Sequence, residues 1–136
     1  MVEFGCGYGS FTVEAAKRSS GTVFALDIDP EMLAATAEAA RKAGVANVQP
    51  MQCDFVADGT SLPNESCDYA MDFKLLHIDE SVTLLRKAFG VLQPGGLLGI
   101  IHRNVDPATP RVPSMDIRPT PDECRRWAEQ VGFGSV

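Results

Sequence analysis

The sequence predicts a single α/β domain over residues 1–136, built as a doubly wound, mostly parallel sheet of about five strands with helices on both faces. Three observations carry that expectation. Short apolar runs alternate with stretches of helical period along the chain. The apolar runs are continuous, as in strands buried on both faces. A glycine-rich turn, Gly5-Cys6-Gly7-Tyr8-Gly9, joins the first run to the first amphipathic stretch. No internal repeat or linker divides the chain.

Only Met1 to Phe4 precede the glycine turn, so the first strand is short. Glycine at alternate positions tolerates positive φ and lets a ligand approach bare backbone. The turn also aims the free N–H groups of the following helix at that ligand. Gly21 to Leu26 is a β-rich run closing in Asp27. Asp29 before Pro30 marks a helix start, with Asp as N-cap and Pro at the first helical position. That helix runs through Met32 and Leu33 to Lys42, and Gly44 ends it. Val48 to Cys53 reads as the next strand, closing in Asp54, and Phe55 to Ser66 as a polar loop broken by Gly59 and Pro63. Cys67 to Phe73 is the fourth strand. Ser81 to Leu92 is helical, with Val82, Leu85, Ala88, Phe89 and Leu92 on one face, and Pro94-Gly95-Gly96 stops it. Leu97 to Ile101 is the fifth strand, and a Pro-rich loop spans Asp106 to Pro119. Thr120-Pro121-Asp122-Glu123 supplies a capping box for a last helix to about Val131. Right-handed crossovers make such a sheet parallel. Ligands then bind beyond the carboxyl ends of the strands, where strand order reverses, and the first strand is the expected reversal point.

Composition narrows the function. A formal charge of −6 disfavours a broad nucleic-acid face or an anionic membrane surface, both of which call for clustered Lys and Arg. No apolar run approaches ~20 residues, and Met1-Val2-Glu3 does not open a signal peptide. Cys6, Cys53, Cys67 and Cys124 form no Cys-x-x-Cys, and the two histidines complete no zinc spacing. They read as reduced, mostly buried thiols of a cytoplasmic protein, with no metal expected; soft-metal chemistry through three of them is the sharper alternative.

The strand ends carry the functional signal. A carboxylate at Asp27 can accept hydrogen bonds from both hydroxyls of a ribose, and one at Asp54 from an exocyclic amine. Phe55 offers a backbone N–H beside it, and Ile28 and Met32 offer apolar surface for a purine face. Each also has a plainer reading: Asp29 as a helix cap, Met32 as core, an Asp after a strand as a turn residue. The succession of acids at successive strand ends is harder to explain as turns alone.

Glu3-x-Gly5-x-Gly7-x-Gly9, Ala25 to Leu33, Asp54 and Leu92-Gln93-Pro94-Gly95-Gly96 together resemble class I S-adenosylmethionine-dependent methyltransferases, over Glu3 to about His102. The resemblance implies a Rossmann-like fold and S-adenosylmethionine as cofactor. It implies that Glu3, Gly5, Gly7 and Gly9 hold the methionine moiety and its ammonium, that Asp27 binds the ribose, and that Asp54 and Phe55 read adenine. A nicotinamide-dinucleotide oxidoreductase domain is the rival within the fold class. It expects Gly-x-Gly-x-x-Gly, whereas the third glycine here falls one place early at Gly9 and Ser10 stands in its position.

In the family the end of the fourth strand faces the methyl group. Asp72, Lys74 and His77 are therefore candidates for general-base work or acceptor contact, although a His after Leu75-Leu76 also suits a helix start. His102, Arg103 and Arg118 are candidate acceptor contacts, with Arg111 beside them in the Pro-rich loop. Trp127 reads as a core anchor. The run Asp72 to His77 is not the Asn/Asp-Pro-Pro-Tyr/Phe pattern of amino-methylating nucleic-acid enzymes, so a small-molecule acceptor is expected. Family members usually carry helices before the first strand and further strands after the last helix. On the sequence given, the cofactor site would lack a lid and the fifth strand would lie at a sheet edge, which predicts a homodimer through that edge or the helix beside it. A cofactor-binding module without turnover, completed by a partner chain, is the alternative function.

Overall fold

A computed structural model describes residues 1–55, 57–73, 81–101 and 119–134. Nine elements follow in order: β1 Val2–Phe4, α1 Ser10–Lys17, β2 Val23–Asp27, α2 Pro30–Ala43, β3 Val48–Gln52, β4 Cys67–Phe73, α3 Ser81–Val91, β5 Leu92–Ile101 and α4 Pro121–Val131. The five strands form one parallel sheet in the order β3-β2-β1-β4-β5. Strand order reverses at β1, as the sequence predicts, and the glycine turn leaves from its carboxyl end.

Side chains of successive strand residues point to opposite faces, and this parity separates two cores. Val2, Phe4, Leu26 and Ala70 join Leu84, Leu85 and Ala88 of α3 and Cys124 of α4 on one face. Ala16 of α1, Val23 and Met71 cluster on the other. Helices therefore cover both faces, α1 and α2 on one and α3 and α4 on the other. Trp127 packs against the first core, as expected, and Phe133 meets Phe89 edge-on at 5.1 Å.

The helix ends obey the predicted chemistry. The Asp29 carboxylate accepts from the Glu31 amide at 2.9 Å, and Gly44 closes α2 in the left-handed region. The Thr120 hydroxyl accepts from the Glu123 amide at 3.1 Å at the start of α4. The largest boundary difference is at β5. The strand expected from Leu97 begins at Leu92, and α3 ends at Val91. Leu92 pairs with Cys67, and a register shift carries the next pairing to Tyr69 and Leu97, so Pro94-Gly95-Gly96 is absorbed into the strand as an irregularity.

Candidate functional site

The glycine turn is built by its neighbours rather than by its own side chains. The Gly5 and Cys6 amides both donate to the Leu26 carbonyl, at 2.8 and 2.9 Å, so the turn is stitched to the end of β2. The Gly7 amide donates to the Asp27 carboxylate at 3.1 Å, and the Asp29 amide donates to its other oxygen at 3.0 Å. From α2, the buried Thr36 hydroxyl donates to the Gly7 carbonyl at 2.8 Å and lies 3.3 Å from the Cys6 sulfur. Gly5, Gly7 and Gly9 all have positive φ.

Gly7 and Gly9 serve different ends. A Cβ at Gly9 would lie 3.0 Å from the Thr36 Cα, so Gly9 is small because α2 packs on it. A Cβ at Gly7 would meet nothing within 4 Å. Open space thus lies against the turn at Gly7, next to Asp27. Gly9 caps α1 without a side-chain acceptor, so no N-cap side chain takes up the first amides of that helix.

The predicted cofactor residues gather along this edge. Asp27 is half-buried, and each oxygen takes one backbone N–H while keeping lone-pair capacity for a further donor. Ile28, just beyond it, is 60 % exposed, a large apolar side chain standing in the open at the mouth of the edge. Asp54 is half-buried and accepts from the Ala57 amide at 3.0 Å, so it also shapes the turn after β3. The Phe55 ring packs edge-on against Phe4 at 5.3 Å, which leaves its backbone as the polar part available to a ligand.

Glu3 lies beneath the turn, 1 % exposed, and accepts a hydrogen bond from the Thr12 hydroxyl of α1. Burial pushes its carboxyl up to about 7; the Thr12 hydroxyl opposes the shift, and the Asp27 charge adds to it. Burial likewise pushes the Cys6 thiol up to about 11. All four cysteines are free. Among the described residues no group of His, Cys, Asp and Glu is placed to hold a metal ion.

Of the acceptor-side candidates, only Asp72 is described. It is 1 % exposed and pairs in register with Phe4 and Ile100, and its charge helps push the Cys124 thiol up. Asp72 therefore faces the core beside α4, on the side of the sheet opposite Glu3. Lys74, His77, His102, Arg103, Arg111 and Arg118 lie outside the described residues. A cavity of about 540 Å³ lined by Asn64, Phe89, Gln93, Pro94 and Phe133 involves neither the glycine turn nor the strand carboxyl ends.

Thr12 and Thr36 are the supporting residues that sequence reasoning misses. Both occupy buried helix positions. A polar residue on the buried side of an amphipathic helix is the signal that would have found them, since a buried hydroxyl requires a partner.

A family model described as a methyltransferase domain matches residues 1–96. Among solved structures, a SAM-dependent methyltransferase from Aquifex aeolicus superposes with a TM-score of 0.86 at 22% identity, covering 98% of this chain and 71% of its own. The cyclase SpnF has a TM-score of 0.80 at 22% identity, over 96% of this chain and 49% of that one. A phosphoethanolamine N-methyltransferase of Haemonchus contortus was solved with phosphomonomethylethanolamine and S-adenosylhomocysteine. It has a TM-score of 0.79 at 24% identity, over 98% of this chain and 33% of that one. At these identities the structural likenesses speak for the fold.

Proposed function

This chain belongs to the class I S-adenosylmethionine-dependent methyltransferases, and on that premise we propose that it directs in-line transfer of the cofactor's methyl group to a small-molecule acceptor. The observation that carries the proposal is the open face of Gly7 beside the Asp27 carboxylate, at the point where strand order reverses. The cradle has the chemistry the cofactor asks for. Asp27 has lone pairs for two ribose hydroxyls, and Ile28 supplies apolar surface to a purine. The Asp54 carboxylate and the Phe55 backbone N–H suit adenine. The glycine turn, with the Glu3 carboxyl beneath it, forms the backbone-lined end suited to a methionine ammonium. S-adenosylmethionine brings a methyl carbon already made electrophilic by the adjacent sulfonium. What remains for the protein is to position the acceptor and exclude water. Lys74, His77, His102, Arg103 and Arg118 are the residues proposed to face the acceptor. Asp72, the remaining candidate, is buried beside Cys124 of α4.

A second reading is a cofactor-binding domain without methyl turnover of its own; one protein of similar fold is a cyclase. Four free thiols fit a reducing, cytoplasmic location, and no helix among the described residues is long and apolar enough to cross a membrane. Calorimetry with S-adenosylmethionine, run beside a labelled-methyl assay on pools of small molecules, separates the readings. Binding with transfer is the expected result. Binding without transfer in any pool would favour the second reading, and no binding would overturn both.

A further inference from the structure

We propose that Glu3 holds a proton at neutral pH when the cradle is empty and releases it when a cationic ligand settles against the glycine turn, so that binding S-adenosylmethionine is tied to proton release. The inference rests on the cofactor reading of the turn and adds to it a protonation site beneath the cradle.

The geometry carries it. Glu3 sits in β1 with Ala25 of β2 and Met71 of β4 in register on either side, both apolar. From α1 it receives the Thr12 hydroxyl. From the turn it faces the Cys6 thiol, which burial keeps neutral near pH 7 and which Thr36 of α2 contacts. From the end of β2 it faces a second carboxylate, Asp27, fixed by the Gly7 and Asp29 amides. Among these described neighbours there is no Lys, Arg or His. The Met1 ammonium, at the other end of the strand, is turned to the Thr22 carbonyl at 2.9 Å.

Glu3 therefore lies in a low-dielectric site without a described counter-cation, and the neighbouring Asp27 charge adds to the burial that hinders its ionisation. A carboxyl raised to about 7 in this setting is about half protonated at neutral pH. A ligand that brings an ammonium and a sulfonium supplies the missing positive charge. Glu3 then gains by ionising, and the displaced proton leaves to solvent.

The test is calorimetric titration of the whole chain with S-adenosylmethionine at pH 6, 7 and 8, each in two buffers of different protonation enthalpy. Release of about nine-tenths of a proton at pH 6, about half at pH 7 and about a tenth at pH 8 is expected, with affinity about tenfold weaker at pH 6 than at pH 8. Glu3→Gln should remove this component while leaving any contribution from the cofactor's own amino group. Thr12→Val should move the half-release point to higher pH, because the hydroxyl that favours the charged form is gone. Measurable binding with buffer-independent heat, or undiminished release in Glu3→Gln, would overturn the inference alone. No binding at any pH would overturn the cofactor reading, and the inference with it.

Discussion

A carboxyl in the middle of a three-residue strand, flanked by Ala25 and Met71, gains no compensating cation from the described fold. Its effect on stability follows from the sign of its shift. With a folded value of about 7 against an ordinary 4.5, Glu3 binds more protons in the folded chain between those pH values. Its contribution is therefore fully present below about 4.5 and is lost as pH rises to about 7, an effect of about 3 kcal/mol. Urea unfolding of wild type and Glu3→Gln at pH 5 and pH 8 should show the variant gaining on wild type at the higher pH. An unchanged difference between the two would contradict the assignment. The two glycines of the turn make a second residue-scale contrast. Gly7→Ala should cost about 1–2 kcal/mol through left-handed backbone alone, yet weaken cofactor binding about tenfold or more, since its methyl enters the open face. Gly9→Ala carries the same backbone cost and adds about 1–3 kcal/mol from the contact with Thr36. Equal thermal stabilities for the two variants would contradict that division.

At the scale of elements, the cradle is a joint between β1, β2, α1 and α2 rather than a loop alone. Thr36→Val would leave the Gly7 carbonyl without its α2 donor, at a cost of about 1–3 kcal/mol, and should loosen the turn enough to weaken cofactor binding. Hydrogen exchange of the Gly5 and Gly7 amides would register the loosening, and unaltered protection would count against it. Much of this architecture is legible in the sequence. Asp29 and Thr120 announce their helices because capping chemistry is local, and the continuous apolar runs place β2 and β4. The start of β5 at Leu92 is not legible, because Pro94-Gly95-Gly96 reads as a breaker, and only pairing with Cys67 draws it into the sheet. The same holds for the partners of Thr12 and Thr36. Helical period identifies their burial, whereas the hydroxyls' acceptors come from strands and turns distant in sequence. The sequence reads Asp72 at a strand end, and it lies near the end of β4. Which face it meets depends on how the crossovers distribute the helices, and that is a tertiary fact.

Across the whole molecule, the two sheet edges differ in kind. β3 carries Pro50, which weakens an edge for further pairing, whereas β5 runs from Leu92 to Ile101 without a charged residue and leaves Leu97 and Ile101 about half exposed. We expect self-association along β5 at high micromolar concentration, reduced by Leu97→Lys. Light scattering that shows a clean monomer there would refute it. The opposite organisation holds along the strands. The carboxyl edge gathers Asp27, Ile28, Asp54 and the glycine turn above Glu3, so the domain presents one coherent cradle. Asp27 beside Gly7 is the proposed anchoring point for S-adenosylmethionine. The most direct measurement is the calorimetric Kd of S-adenosylmethionine for wild type and Asp27→Ala at one pH, with folding of both verified by circular dichroism. Anchoring at Asp27 predicts saturable binding to wild type and a loss of about tenfold or more in the variant, about 1.4 kcal/mol or greater. Equal affinity in the two folded proteins, or no binding to wild type, would contradict it.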